Sequence, residues 1–340
     1  MTEPLLAVRR VSKRFTRDAG LIERGLARLS GARAGATVHA VTDVSLAVPR
    51  GEVLGVVGES GCGKSTLGRI VSGIYAPTEG TVLLGGEPVA TERGGTARKL
   101  TAKVQMIHQD PFASLNPRMK VGETIGEGPR VHGLGTAPEV RERTAGLLEK
   151  VGLEASYADR LPHQFSGGQR QRVAIARALA MEPDLLVLDE AVASLDVSIQ
   201  AQVLNLFTDL RRELGLTALF ISHDLSVVRH VSDRVAIMYL GRVVELASAE
   251  ALYRRPLHPY SAALFASVPT LGTGRARFRP IEGEIPSPID PPSGCAFHPR
   301  CSHAGPRCRV EVPLLKSPEG GREVACHLHD GGVARVDSAA

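Results

Sequence analysis

The sequence predicts an α/β fold built on a buried sheet, and three stretches predict it. Val53-Leu54-Gly55-Val56-Val57 is an apolar run of strand length. A glycine-rich turn follows it, and then Thr66-Leu67-Gly68-Arg69-Ile70-Val71, whose apolar residues recur at helical spacing. Leu185-Leu186-Val187-Leu188 is a second uninterrupted apolar run, which reads as a strand buried on both faces, as in a parallel sheet. Arg170 through Leu179 reads as a helix with Val173, Ala176 and Leu179 or Ala180 on one face.

The turn between the first strand and helix is Gly58-Glu59-Ser60-Gly61-Cys62-Gly63-Lys64-Ser65-Thr66, a G-x-x-x-x-G-K-S loop. Such a loop lets backbone N–H groups wrap a triphosphate, because glycine permits close approach and the helix start adds positive potential. Lys64 is placed to reach the β- and γ-phosphates, and Ser65 to put its hydroxyl on Mg²⁺. The second apolar run ends in Asp189-Glu190, at the strand end where open α/β sheets bind ligands. Asp189 is suited to hold Mg²⁺ through a water, and Glu190, pointing elsewhere, to accept a proton from an attacking water. Phe165-Ser166-Gly167-Gly168-Gln169 precedes the third element, so Ser166, Gly167 and Gly168 present a second set of backbone donors at a helix start. One triphosphate needs one cradle. A second makes sense if it covers a nucleotide held by another subunit.

With these motifs in hand, the chain resembles the ATP-binding-cassette ATPases over about residues 5–250, with Phe165 replacing the Leu of the L-S-G-G-Q signature. The resemblance implies a P-loop NTPase cassette: a mixed sheet core, an antiparallel β subdomain and a helical subdomain bearing the signature. The 56 residues between Gln109 and Ser166 leave room for the last of these. It also assigns roles. Gln109 matches the glutamine loop that touches Mg²⁺ and the attacking water; His223 matches the switch histidine at the γ-phosphate; Asp196 matches the loop joining the two sites of a dimer. Phe15 matches the aromatic that stacks on adenine, although its residue type alone fits core packing equally well. Ala191 stands where the family commonly has Pro, and Ala193-Ser194-Leu195-Asp196 replaces Ser-Ala-Leu-Asp; Glu190 is retained, so the site is expected to hydrolyse ATP.

Composition bounds the remaining possibilities. No stretch approaches the ~18 consecutive apolar residues that a bilayer-spanning helix needs. Met1-Thr2-Glu3-Pro4-Leu5-Leu6 lacks the basic and apolar regions of a signal peptide, so the chain is expected at the cytoplasmic face of the membrane, held there by partners. An excess of 41 basic over 36 acidic residues is spread along the chain, which argues against a nucleic-acid partner; Arg275, Arg277 and Arg279 around Phe278 read better as a solvated linker or a membrane-facing surface. Residues 17–38 look like an insertion, either a mobile loop or a partner-binding helix.

A cassette over 1–255, an extension over 256–330 and a disordered tail over 331–340 complete the expected organisation. The extension sharpens the resemblance to importers of oligopeptides, dipeptides and nickel. Three stretches carry it: Gln109-Asp110-Pro111-Phe112-Ala113-Ser114-Leu115-Asn116-Pro117-Arg118-Met119; His258-Pro259-Tyr260-Ser261; and Glu284-Ile285-Pro286-Ser287-Pro288 followed by Gly294-Cys295-Ala296-Phe297-His298-Pro299-Arg300-Cys301. The implied activity is ATP hydrolysis powering peptide import, with nickel or another small solute as the alternative cargo. The implied partners are a second, related but distinct ATPase subunit, two membrane permease subunits and an external solute-binding protein. A cassette ATPase acting on nucleic acid is the reading from another class; the single phosphate loop and uninterrupted cassette oppose it.

Four of the five cysteines cluster as Cys295, Cys301, Cys308 and Cys326. In a cytoplasmic chain they argue for metal rather than disulfides. Their wide spacing lacks the C-x₂₋₄-C pair usual for zinc and suits a cubane iron–sulfur cluster. His298, His303 and His327 keep zinc open, and plain thiols are the third possibility. The resemblance favours a [4Fe–4S] cluster, which some peptide-importer ATPases hold in a similar tail, with the role of stapling a module that has no core of its own.

Overall fold

A computed structural model describes residues 3–16, 36–93, 96–110, 114–267 and 281–332. Most of the insertion expected at 17–38, the run from Arg275 to Arg279, Pro111-Phe112-Ala113 and the tail from 333 lie outside the described residues. Strands β1 (Leu6–Thr16) and β2 (Thr37–Val48) pair antiparallel, and β4 (Glu79–Leu84) and β5 (Glu87–Pro88) extend them into a four-stranded sheet. A small hairpin of β6 (Ala90–Arg93) and β7 (Thr96–Lys99) follows.

The main sheet contains β3 (Val53–Val57), β8 (Val104–Ile107), β9 (Leu185–Asp189), β10 (Thr217–Ile221), β11 (Arg234–Tyr239) and β12 (Arg242–Ser248). The order β11-β3-β10-β9-β8 is parallel throughout, and β12 adds antiparallel to β11. Side chains alternate across a strand, so a strand apolar at every position must be covered on both faces. Val53, Val57, Leu186, Leu188 and Phe220 point into one core; Leu54, Val56, Leu185, Val187 and Leu219 point into the other.

The second core is closed by the antiparallel sheet and by α1 (Lys64–Val71), through Leu67, Ile70 and Val71. Gly68 lets this helix lie tight on the sheet, since a Cβ there would stand 2.6 Å from Ile221. The first core is closed by α4 (Gly167–Leu179), α5 (Val197–Leu214) and α6 (Leu225–Val231). With α4, α2 (Val121–Val131) and α3 (Ala137–Lys150) form the helical subdomain between β8 and β9. The α3 start is fixed by a capping box in which the Glu139 carboxylate accepts from the Thr136 N–H at 2.7 Å. The mixed core, antiparallel subdomain and helical subdomain are those expected from the sequence.

Less expected is how the extension attaches. After α7 (Ala249–Arg254) and α8 (Pro259–Ala266), the hairpin of β13 (Lys316–Glu319) and β14 (Arg322–Val324) pairs with β12 and becomes the edge of the main sheet. Glu245 on β12 anchors the junction. It is fully buried and accepts the backbone N–H groups of Leu257 at 2.8 Å and His258 at 2.9 Å, and Nη2 of Arg322 at 3.2 Å. The same Arg322 nitrogen also donates to the Arg255 carbonyl. His258 in turn caps α8, its Nδ1 accepting the Tyr260 N–H at 3.0 Å; complete burial, with the nearby His329, pushes its pKa down to about 3 and keeps the ring a neutral acceptor.

Removing this buried carboxylate strands the Leu257 and His258 N–H groups and leaves the Arg322 nitrogen with the Arg255 carbonyl but no counter-charge from Glu245. Glu245→Ala is therefore expected to destabilise the chain by about 3–5 kcal/mol in denaturant unfolding, the cost of breaking a buried ion pair. A loss below ~1 kcal/mol, typical of exposed pairs, would show that the junction does not depend on it.

Candidate active site

The loop after β3 takes a backbone path that needs glycine at three positions. Gly58 (φ +156°) and Gly63 (φ +103°) pass so close to neighbouring chain that a Cβ would lie 2.2 Å from the Met238 carbonyl oxygen and 2.1 Å from that of Ala40. Around Gly61 there is open space, so its need is conformational, at φ +79°. Lys64 is buried and curls back over the loop, donating to the carbonyls of Gly58 at 2.8 Å and Glu59 at 3.0 Å. Cys62 is buried beneath, its thiol pushed up by burial, and Gly63 opens α1 without a side-chain cap. Ser60 lies on the exposed face of the loop, and Thr66 continues the helix.

Ser65 on α1 meets the end of β9. Its hydroxyl donates to Asp189 Oδ1 at 2.8 Å. Burial raises the Asp189 carboxyl above the usual range, against the Ser65 hydrogen bond and the Arg69 charge. Glu190, one residue on, has left-handed backbone (φ +50°), a strained conformation for a non-glycine residue. Its Oε1 lies 3.3 Å from His223 Nδ1, and its N–H donates to the Ile221 carbonyl at the end of β10. Gln109 follows β8, and its carbonyl accepts from Ser194, two residues before Asp196. Lys64, Ser65, Asp189, Glu190, His223 and Gln109 thus belong to segments leaving the carboxyl ends of parallel strands, where this sheet type places its ligands.

The signature forms a separate surface. Ser166 caps α4: its hydroxyl accepts the Gln169 N–H at 3.3 Å, while Gln169 Oε1 accepts the Ser166 N–H at 3.0 Å. Phe165 fills the core position in front, edge-on to Tyr157 at 5.6 Å, which is why an aromatic serves where the family has Leu. Gly168 admits Ile199, which would stand 2.4 Å from a Cβ; Gly167 meets Leu195 at an ordinary 3.6 Å. The Asp196 loop therefore packs against the signature, and Asp196 and Val197 are exposed beside it. Among the described residues no hydrogen bond joins Ser166–Gln169 to Gly58–Thr66.

Phe15 is 37% exposed and stands edge-on to Tyr75, centroids 5.5 Å apart, with Lys13 Nζ 5.3 Å from the Phe15 ring. Sequence reasoning missed Tyr75, which carries no motif and is visible only as an aromatic just past α1. It also missed two partners of the phosphate loop from the extension. The Glu59 N–H donates to the Tyr260 hydroxyl at 2.9 Å, and both Glu59 carboxylate oxygens take Arg300, at 2.8 and 3.1 Å.

Cys295, Cys301, Cys308 and Cys326 line one small cavity together with His258, and all four thiols are free. Cys326 is pushed up to about 12, by burial first and then by the other three cysteines. Among the described residues, however, no group of three or more His, Cys, Asp or Glu is arranged to hold a metal ion. His327 has both ring nitrogens engaged, with Asp330 and with the Glu311 carbonyl, which weakens the zinc alternative at that residue.

The ABC transporter family matches residues 41–193, and the family described as oligopeptide/dipeptide transporter, C-terminal region, matches 244–308. The chain is 48% identical over 329 residues to the probable peptide ABC transporter ATP-binding protein y4tS of Sinorhizobium fredii, covering 96% of this chain and 91% of that one. It is 48% identical over 331 residues to the oligopeptide transport ATP-binding protein AppF of Bacillus subtilis, covering 96% and 98%. Among solved structures it resembles cbiO1 from Clostridium perfringens, part of the ABC transporter complex cbiONQ (TM-score 0.60, 29% identity, 74% of this chain and 92% of that chain). It also resembles the dimeric, post-hydrolysis ATP-binding cassette MJ0796 bound to ADP and Pi (TM-score 0.57, 27% identity, 72% and 98%). With a phosphate loop, a strand-end carboxylate pair and a signature helix in one cassette, and relatives of this identity along nearly its whole length, the chain belongs to the ATP-binding proteins of ABC transporters, in the oligopeptide/dipeptide branch.

Proposed function

We propose that this chain is the ATP-hydrolysing subunit of a peptide importer, with Glu190 as the base. The observation that carries the reading is the convergence of Ser65, Asp189, Glu190 and His223 beside a complete phosphate loop. The loop N–H groups and Lys64, released from its two carbonyls, hold the triphosphate; Phe15 and Tyr75 offer the aromatic surface for adenine. Ser65 and Asp189 present two hard oxygen donors at one point, which fits Mg²⁺. When bound, that ion neutralises phosphate charge. Glu190 takes a proton from water as the water oxygen bonds to the γ-phosphorus and the bond to the bridging oxygen breaks, leaving ADP and phosphate. His223 and Gln109 orient the γ-phosphate and the water, so catalysis is chiefly positioning and electrostatics.

Among the described residues no hydrogen bond joins the signature to its own phosphate loop, which supports a dimer in which Ser166–Gln169 cover the partner's nucleotide and Asp196 links the two sites. A paralogous ATPase subunit is the partner we favour. Beside Gln109 a groove lined by Gln105, His108, Thr124, Glu127 and Arg177 separates core and helical subdomain, and suits a segment of a permease subunit. Among the described residues no helix is long and apolar enough to cross a membrane, so we place the chain peripherally, on the cytoplasmic face, through such permeases. A solute-binding protein outside the membrane would select the cargo. For the four cysteines we favour a [4Fe–4S] cluster held by Cys295, Cys301, Cys308 and Cys326, which would cross-link the module; among the described residues they line one small cavity without forming a metal-holding group, so the thiols would have to draw together to hold it.

Three measurements test these readings. Glu190→Gln should retain ATP binding yet slow turnover by roughly 10²–10⁴, the scale of a lost general base, whereas Lys64→Ala should lose tight binding; normal turnover in Glu190→Gln removes the assignment. Gly167→Asp should set a carboxylate against the partner's γ-phosphate and suppress hydrolysis while nucleotide binding by this chain persists. Full hydrolysis by isolated monomers, independent of concentration, would contradict the dimer. Anaerobically purified protein should be brown with about four irons per chain, as a cubane cluster requires, and Cys301→Ser should bleach it; colourless protein with stoichiometric zinc decides for zinc.

A further inference from the structure

Glu59 of the phosphate loop is held three ways, once from within the loop and twice from the extension. Its N–H donates to the Tyr260 hydroxyl at 2.9 Å, its carbonyl accepts Lys64 at 3.0 Å, and its carboxylate receives both terminal nitrogens of Arg300. Arg300 is almost fully buried, its side chain 3% exposed, and its Nε donates to the Glu282 carbonyl at 3.1 Å, so it has little freedom to move. Its place is set on both sides. Cys301 follows it directly, and Phe297 precedes it in a ring cluster with Tyr239 of β11, centroids 5.2 Å apart, and Tyr260 of α8, 5.3 Å apart. Tyr239 and Tyr260 are themselves 4.7 Å apart.

We propose that Arg300 is a positioning residue for nucleotide binding: through its two-pronged contact with Glu59, seconded by Tyr260, it holds the phosphate loop in the shape that cradles a triphosphate, so that the cysteine-bearing module and the nucleotide site form one coupled unit. A planar guanidinium suits this task because two parallel bonds fix the direction of the carboxylate as well as its charge. Glu59 would otherwise be a carboxylate beside a polyanion site, repelling the ligand. Paired with Arg300, its charge is neutralised. Coupling of this kind is reciprocal: whatever loosens the segment from Cys295 to Cys301 weakens nucleotide binding, and bound nucleotide stabilises that segment.

The inference rests on the reading of Gly58–Thr66 as the ATP site, and the test separates the two. MgATP affinity of the full chain is measured by titration calorimetry, with KM, kcat and melting temperature for each variant. Arg300→Ala should weaken MgATP binding about ten-fold, within the usual range of coupling between sites, and the loss should fall on KM rather than kcat. Arg300→Lys, which keeps the charge but not the fork, should fall between. Tyr260→Phe keeps the ring cluster and removes only the acceptor, so a few-fold loss there, of the order of one hydrogen bond, marks positioning rather than misfolding. Glu59→Gln should lose less affinity than Arg300→Ala, because it leaves no unpaired carboxylate, and the double variant should be no worse than Arg300→Ala alone. Unchanged affinity in Arg300→Ala and Tyr260→Phe, or strictly additive losses, overturns the proposal, as does an equal rise in melting temperature on MgATP addition in wild type and Arg300→Ala. If wild type and Lys64→Ala bind MgATP equally, the ATP-site reading itself fails.

Discussion

Burial of β3, β9 and β10 on both faces is the constraint on which the rest of the molecule depends. Each of the five positions in these strands is buried, and alternate apolar side chains enter two separate cores. Strands so placed have no freedom to slip, because a one-residue shift would exchange the two cores throughout. Their carboxyl ends are fixed points, and the phosphate loop, the Asp189-Glu190 pair and the His223 segment each begin at one of them. The left-handed backbone of Glu190 is sustainable there: its N–H is tied to the Ile221 carbonyl of the neighbouring strand, so the framework carries the strain.

Electrostatics in the site follow from that framework. Lys64 is buried yet satisfied by two carbonyls, so its charge is stored close to where a triphosphate binds without being neutralised by a carboxylate. Asp189 shows the opposite arrangement, a carboxyl whose ionisation is opposed by burial and assisted by one hydroxyl. Such a group gains from a cation placed between it and Ser65. The site is built to be completed by ligands of both signs.

Much of this was legible because local pattern and tertiary burial agree. The apolar runs at 53–57 and 185–188 have one reading in an α/β chain, and the loop and signature carry residue types with few alternatives: Gly58 and Gly63 face backbone at distances no side chain survives, and Gly168 faces Ile199. What was not legible lies at long sequence separation. Nothing local in Glu245 indicates that it joins Leu257, His258 and Arg322, and the pairing of Glu59 with Arg300 spans most of the chain. The same limit applies to the cysteines. Spacing indicated a cluster of four, and they do face one cavity, but whether their sulfurs stand at ligating separation is a matter of backbone geometry that composition does not encode.

The pairing of β14 with β12 bears on how the molecule is made. β3 lies at residue 53, yet its two neighbours in the sheet arrive at residues 217 and 234, and the β13–β14 hairpin that extends the sheet beyond β12 arrives at residues 316 to 324. A ribosome delivers a chain from the amino end, so β3 must wait for the strands at residues 217 and 234 before it has a neighbour on either side. Until β14 emerges, one side of β12 is an open ladder of backbone donors and acceptors, able to recruit a strand from another nascent chain. β14 closes that ladder only after the stretch from Cys295 to Cys308 has been made. A chain interrupted between β12 and β14 would keep that ladder open.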